Sequence, residues 1–205
     1  MKTDLEKGIL IAFEGSDFVG KSTAVRRLNF ILEDLNYSVV ATFEPSDGIY
    51  GKQIRSDFFK ELPSPEQQLD LFLKDRKDHV ERIIAPALAE KKIVLEDRYF
   101  LSTAAYQGAA GFDPKWIIAL NESFAPIPDL WVIIDLDPEK ALQRAVSRGT
   151  APNAFEKLEF LKKVAEFYKN YRGVNVAHID GELGVEQMTH EIAKAIYLGP
   201  LRKYI

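Results

Sequence analysis

The 205-residue chain contains no cysteine, which removes disulfides, thiolate metal ligands and a cysteine nucleophile from its chemistry. That composition fits a reducing compartment. Long apolar runs are also missing. Residues 9–13 and 130–134 fall far short of the ~20 residues needed to cross a bilayer. The opening Met1-Lys2-Thr3-Asp4-Leu5-Glu6-Lys7 is charged where a secretory signal would be apolar, so a cytoplasmic protein with no membrane attachment is expected. There is no basic surplus either. With 27 Lys and Arg against 31 Asp and Glu, a net charge of −4 argues against a nucleic-acid-binding face. Any phosphate must then be held by local charge and backbone donors. The three histidines, His79, His178 and His190, follow no metal-ligand spacing and read as structural or solvated.

What is present reads as one domain spanning 1–205, with 46% hydrophobic and 28% charged residues, close to ordinary globular usage. Short apolar runs at 9–13, 38–43, 93–95, 130–136 and 174–179 predict strands. Helical spacing is seen at 21–35, where Val25, Leu28, Ile31, Leu32 and Leu35 recur and Asn36 marks a stop. Further helices are predicted at 49–59, 101–107, 116–124, 155–171 and 185–197, and one runs from Asp137-Pro138 toward Arg148. Ser64-Pro65-Glu66-Gln67 supplies a cap, a first-turn proline and a capping-box partner. It predicts one continuous helix through Leu69, Phe72, Arg76, Val80 and Ile83 toward Leu88. Strand and helix alternate throughout. The fold class is therefore α/β, a five-stranded, mainly parallel sheet with helices on both faces.

Between the first strand and the first helix stands Gly15-Ser16-Asp17-Phe18-Val19-Gly20-Lys21-Ser22-Thr23, a match to G-x-x-x-x-G-K-[ST] in the context that motif requires. The glycines let successive N–H groups turn toward phosphates, and the helix N-terminus adds partial positive charge. Lys21 is placed for the β- and γ-phosphates and Ser22 for Mg²⁺. Switches, motors, transporters and kinases all carry such a loop, so it identifies a phosphate site and no more.

A second set of residues is less specific. Asp97, past the third strand, would face the crevice beside the loop and could hold Mg²⁺ if that strand neighbours the first. Adjacent Arg98 offers a fork for phosphate. Phe72 and Arg76, four apart, share a helix face and could stack on a base and hydrogen-bond its edge. Arg55 lies on the preceding short helix. Taken singly, each also reads as an ordinary strand-end acid, surface ion pair or core residue.

In combination these residues resemble the thymidylate kinase family over most of the chain. The matching stretches are Ile11-Ala12-Phe13-Glu14-Gly15, Glu44-Pro45, Asp97-Arg98-Tyr99, Ser102-Thr103-Ala104-Ala105-Tyr106-Gln107-Gly108 and Pro128-Asp129-Leu130. The resemblance implies a P-loop NTPase three-layer sandwich with a short lid at about 149–156, and transfer of the γ-phosphate of ATP to dTMP with Mg²⁺. It also implies a homodimer. By the same likeness Asp17 would accept a hydrogen bond from the deoxyribose 3′-hydroxyl, Phe72 would stack on thymine, and Arg76 and Thr103 would meet the base edge. Arg98 and Arg55 would hold the monophosphate, Gln107 would line the pocket, Tyr106 would crowd the sugar, and Arg144 would lie near adenine.

The sequence departs from the family pattern in three places. Phe43 stands before Glu44-Pro45 where bacterial members commonly have arginine. Phe18 occupies the position at which some members carry a catalytic arginine, which shifts that charge to the lid. There, Asn153-Ala154-Phe155-Glu156 replaces an Asp-Arg-hydrophobic-Glu motif, leaving Arg148 or Lys157, and Arg148 is assigned the role. Kinases acting on other nucleotides or nucleosides, and a non-catalytic ATP-binding switch, remain the alternatives.

Overall fold

A computed structural model describes residues 5–57, 63–147 and 154–204, with the backbone alone at 57 and 154–157. Five strands, β1 (Ile9–Glu14), β2 (Val39–Phe43), β3 (Ile93–Asp97), β4 (Leu130–Asp135) and β5 (Val176–Asp180), form one parallel sheet in the order β2-β3-β1-β4-β5. The central strands are apolar on both faces because helices cover both. From β1, Ile9, Ile11 and Phe13 pack with α1 (Lys21–Asp34) and α9 (Val185–Leu198). Leu10 and Ala12 face the other layer, where α5 (Phe100–Ala109) and α8 (Ala154–Asn170) contribute Phe100, Ala105, Val164 and Tyr168. This is a three-layer α/β sandwich of the P-loop NTPase type.

The order of strands places the site. The chain leaves β1 on one side for β2 and β3, and on the other for β4 and β5, so a crevice opens at the carboxyl end of β1. Phe13 is in register with Asp97, which sets the loop after β1 beside the end of β3.

Most predicted elements form, with shifts that have local causes. The third strand continues through Glu96 and Asp97, because β3 pairs with β1 and β2 to its last residue. The fifth begins at Val176, since Asn175 adopts a left-handed φ of 56° and ends the approach. Asp113 caps α6 (Pro114–Glu122) by accepting from Lys115 N at 2.9 Å, two residues before the predicted start.

One expectation is corrected. The predicted single helix from Ser64 is three pieces in line: α3 (Pro65–His79), a π-helical turn at Val80–Ile84, and α4 (Ala85–Ala89). Pro86 has no N–H to donate inside this run, and the wider turn just before it re-routes Ala85 N to Val80 O. The start follows expectation, with Ser64 and Gln67 forming a reciprocal capping box. Between β2 and α3 lies α2 (Ile49–Asp57), and α7 (Pro138–Ser147) follows β4.

Candidate active site

The loop from Gly15 to Gly20 is shaped by backbone that ordinary residues avoid. Gly15 has φ 136° and Gly20 φ 110°, and a Cβ on Gly15 would sit 2.6 Å from the Ile134 carbonyl. Phe18, without that freedom, still takes φ 65°. Lys21 is buried and curls back over the loop, donating to Gly15 O at 2.9 Å and Ser16 O at 2.6 Å. Burial, then the charge of Arg98, pulls its pKa down to about 7. An ammonium held by two carbonyls beside a guanidinium is short of negative charge, which arriving phosphates supply.

Ser22 Oγ donates to Asp97 at the mouth of the same crevice. A serine hydroxyl and a carboxylate are hard oxygen donors, the kind that hold Mg²⁺, so this pair fits the ion. Next to it, Arg98 takes a left-handed φ of 71° while its N–H bonds Phe13 O at 2.9 Å. That turn aims the side chain back across β1, where the guanidinium pairs with Asp17 of the loop and packs over the Tyr106 ring at 5.5 Å. A cavity of about 650 Å³ results, with Asp17, Phe18, Gly20, Lys21, Ser22, Thr23, Asp97 and Arg98 on its wall.

The base-reading candidates lie deeper, in a network of side chains. Arg76 is 1% exposed; its guanidinium pairs with Glu44 and donates to Asn121 Oδ1 at 2.7 Å and Thr103 Oγ1 at 3.1 Å. The Arg76 guanidinium also lies over the Tyr99 ring at 5.3 Å. Glu44 sits in the turn after β2, joined to Pro45 by a cis peptide, and Ser46 is anchored by N–H and hydroxyl bonds to Asp75 at 2.7 and 2.6 Å. Thus Arg76 and Thr103 meet, as their assignment to one base edge requires. Arg76 Nε has no partner among the described residues, nor has Gln107 Oε1, and both are buried. Such groups point to something polar that completes them.

Sequence reading missed the next layer. His79 is buried, as a structural histidine would be, but its Nδ1 lies 3.3 Å from Glu44 and 3.9 Å from Glu96 Oε2, while Nε2 meets Thr42 Oγ1 at 2.7 Å. Glu44, His79 and Glu96 are spaced as a metal could use them. Burial, then the charge of Glu44, pushes Glu96 well above the carboxylate range, so it carries its proton at neutral pH. The Glu44–Arg76 pair is then balanced without a cation. No spacing along the chain brings residues 44, 79 and 96 together; only β2 and β3 pairing under α3 does.

Remaining candidates are scattered. Phe72 is half-buried on α3, and Tyr106 and Gln107 lie on α5; with Arg76 and Thr103, none of them lines the 650 Å³ cavity. Arg55 donates to Pro45 O at 2.5 Å and pairs with Asp47 at 3.1 Å. Arg144 donates to Val19 O at 3.4 Å and Gly181 O at 2.8 Å, tying α7 to the loop and to the segment after β5. Arg148 and residues 149–153 of the expected lid lie outside the described residues, as does the Lys157 side chain.

A family model described as thymidylate kinase matches residues 13–192, a stretch that takes in both the loop and the Arg76 network. The chain belongs to the thymidylate kinase family. It is similar to a thymidylate kinase of Akkermansia muciniphila, 42% identical over 194 residues covering 95% of this chain and 94% of that one. A thymidylate kinase of Desulfotalea psychrophila is likewise 42% identical, over 90% of this chain and 92% of its own. A probable thymidylate kinase of Archaeoglobus fulgidus is 39% identical over 92% and 94%. Family membership covers both halves of the crevice.

Proposed function

We propose that the chain transfers the γ-phosphoryl group of ATP to dTMP, giving dTDP and ADP. The observation that carries this reading is that Lys21, from the donor loop, and Arg98, from the end of β3, face one cavity together with Ser22 and Asp97. A cation from each side leaves room for two phosphates end to end. Family membership supports thymidylate as the acceptor.

Lys21 gives up its loop carbonyls for the donor phosphates and is fully charged once they arrive. Arg98 presents its planar fork to the acceptor monophosphate, and Asp17, its partner in the loop, is the group nearest to read the sugar hydroxyl. Ser22 and Asp97 would hold Mg²⁺, which supplies neutralisation of the β- and γ-phosphate charge. Arg76 and Thr103 would read the base edge beneath a stack on Phe72, with Gln107 beside them and Tyr106 against the sugar. Arg55 supports the acceptor side, Arg144 the adenine, and Arg148 the transferring group. No general base is needed, because the acceptor phosphate has a second pKa of about 6 and is anionic at neutral pH. Positioning and charge neutralisation carry the rate.

The same reading gives a cytoplasmic homodimer, which sedimentation of the full chain tests. Among the described residues, no helix is long and apolar enough to cross a membrane. The decisive measurement is ADP release with Mg-ATP and a panel of dTMP, dUMP, dCMP, dAMP and thymidine. Acceleration strongest with dTMP is expected, and its absence overturns the proposal.

A further inference from the structure

Tyr168 lies near the end of α8, the helix that follows the expected lid, yet its hydroxyl reaches the carboxyl end of β1. It donates to Glu14 Oε2 at 3.1 Å and lies 3.0 Å from Ser102 Oγ. Ser102 Oγ donates to the same Glu14 oxygen at 2.6 Å and accepts from Arg98 Nη1 at 3.1 Å. The other carboxylate oxygen accepts from the backbone N–H groups of Tyr99 at 2.9 Å and Ser102 at 3.1 Å, at the opening of α5.

Proton bookkeeping fixes the direction of this chain of bonds. Ser102 has one proton and gives it to Glu14, so its lone pairs are what Arg98 meets. Four donors converge on Glu14, matching the four lone-pair sites of a carboxylate. Glu14 is wholly buried, and only an acceptor fits there. Burial and the neighbouring Glu14 push the Tyr168 phenol well above its ordinary value, so it remains a donor. None of the three side chains lines the 650 Å³ cavity, but the Arg98 guanidinium does.

We infer that Glu14, Ser102 and Tyr168 are positioning residues that aim the Arg98 guanidinium at the acceptor phosphate, and that Tyr168 ties this aim to the seating of α8. The inference rests on the proposed phosphoryl transfer to dTMP. It makes α8 a mechanical link between the lid side of the molecule and the acceptor side, with the β1 carboxylate as its pivot.

Steady-state kinetics on the full chain tests it. Tyr168→Phe and Ser102→Ala are each expected to raise the KM for dTMP about ten-fold, the size of one lost hydrogen bond to a charged group, with the KM for ATP unchanged within about two-fold. Ser102→Thr, which keeps the hydroxyl, restores the wild-type KM. The double variant Tyr168→Phe/Ser102→Ala is no worse than Ser102→Ala alone, since both act through one path. An unchanged KM for dTMP, equal changes for both substrates, or additive losses overturn the inference. Hydrogen exchange keeps it testable apart from the reaction. In the ligand-free protein, Tyr168→Phe should speed exchange over residues 98–103. If the wild type fails to phosphorylate dTMP, the function falls, and the relay then stands on that faster exchange or falls with its absence.

Discussion

The two sides of the crevice are built from different materials. The donor side is backbone: a loop forced into shape by Gly15, Phe18 and Gly20 at positive φ, with Lys21 resting on its carbonyls. The acceptor side is side chains: Arg76, Glu44, Thr103 and Asn121, gathered from four separate stretches and bonded to one another in the interior. A backbone cradle binds any phosphate, because every residue carries an N–H. A side-chain network discriminates, because each member has a fixed number of donors and acceptors. It is also part of the core, so changing it alters folding as well as recognition.

That contrast can be broken most directly at Arg76. Arg76→Ala leaves Glu44 buried without its counter-charge and is expected to cost about 3–5 kcal/mol of stability as well as dTMP affinity. Urea unfolding and calorimetry on one preparation measure both. Retained stability with lost affinity would mean that the acceptor side is no more part of the core than the loop is. Lys21→Ala should show the opposite profile. Turnover falls by about 10²–10³-fold, as for loss of one charge-stabilising donor, while dTMP binding and melting temperature change little. Parallel loss of turnover and dTMP binding would erase the distinction from the other side.

Glu96→Gln sharpens the comparison within the interior. A carboxyl whose folded pKa is raised contributes fully below 4.5, the ordinary value, and loses that contribution as pH rises through the folded one. Wild-type stability should therefore decline from pH 5 toward pH 8 through this group. The amide variant flattens the decline, gaining roughly 1–3 kcal/mol at the upper end, the cost of a buried unsatisfied polar group. Denaturant midpoints across that range decide it, and equal slopes would mean Glu96 does not titrate this way. The smallest expected signal belongs to the loop. Because Lys21 sits at about 7, ATP binding at pH 7 should take up roughly half a proton, read by calorimetry in buffers of different ionisation enthalpy and absent in Lys21→Ala.

The same difference in materials governs what could be read before the structure was known. A glycine that must adopt a positive φ, or a lysine one residue after it, leaves its mark at fixed spacing, so the loop was legible residue by residue. Alternating apolar runs gave the five strands and their two-sided cover. Asp97 could be placed because its strand lies beside β1. By contrast, Arg76 and Phe72 at four-residue spacing carried no more than a shared helix face, and only family likeness tied them to a base. His79 and Glu96 were invisible as a pair. Their meeting depends on sheet pairing, and nothing local in 75–80 or 93–97 signals it. Asn121 was likewise hidden, an ordinary polar residue in a helix until its Oδ1 was seen to accept from Arg76.

The π-helical turn at Val80–Ile84 has a consequence for how these parts stay in phase. A π turn holds one residue more than the α-helical turn it replaces, and each α-helical residue advances about 100° around the axis. The rod from Ser64 to Ala89 therefore behaves as two helices offset by a single step. Its second portion presents Ile84 and Ala87 to the sheet, while the first turns Arg76 and His79 toward Glu44. Removing one residue between 80 and 84 would let the rod run as an unbroken α-helix and swing the arginine about 100° off its partners. The apolar seam would be kept and the reader of the base edge lost, so in this rod the count of residues carries as much information as their identity.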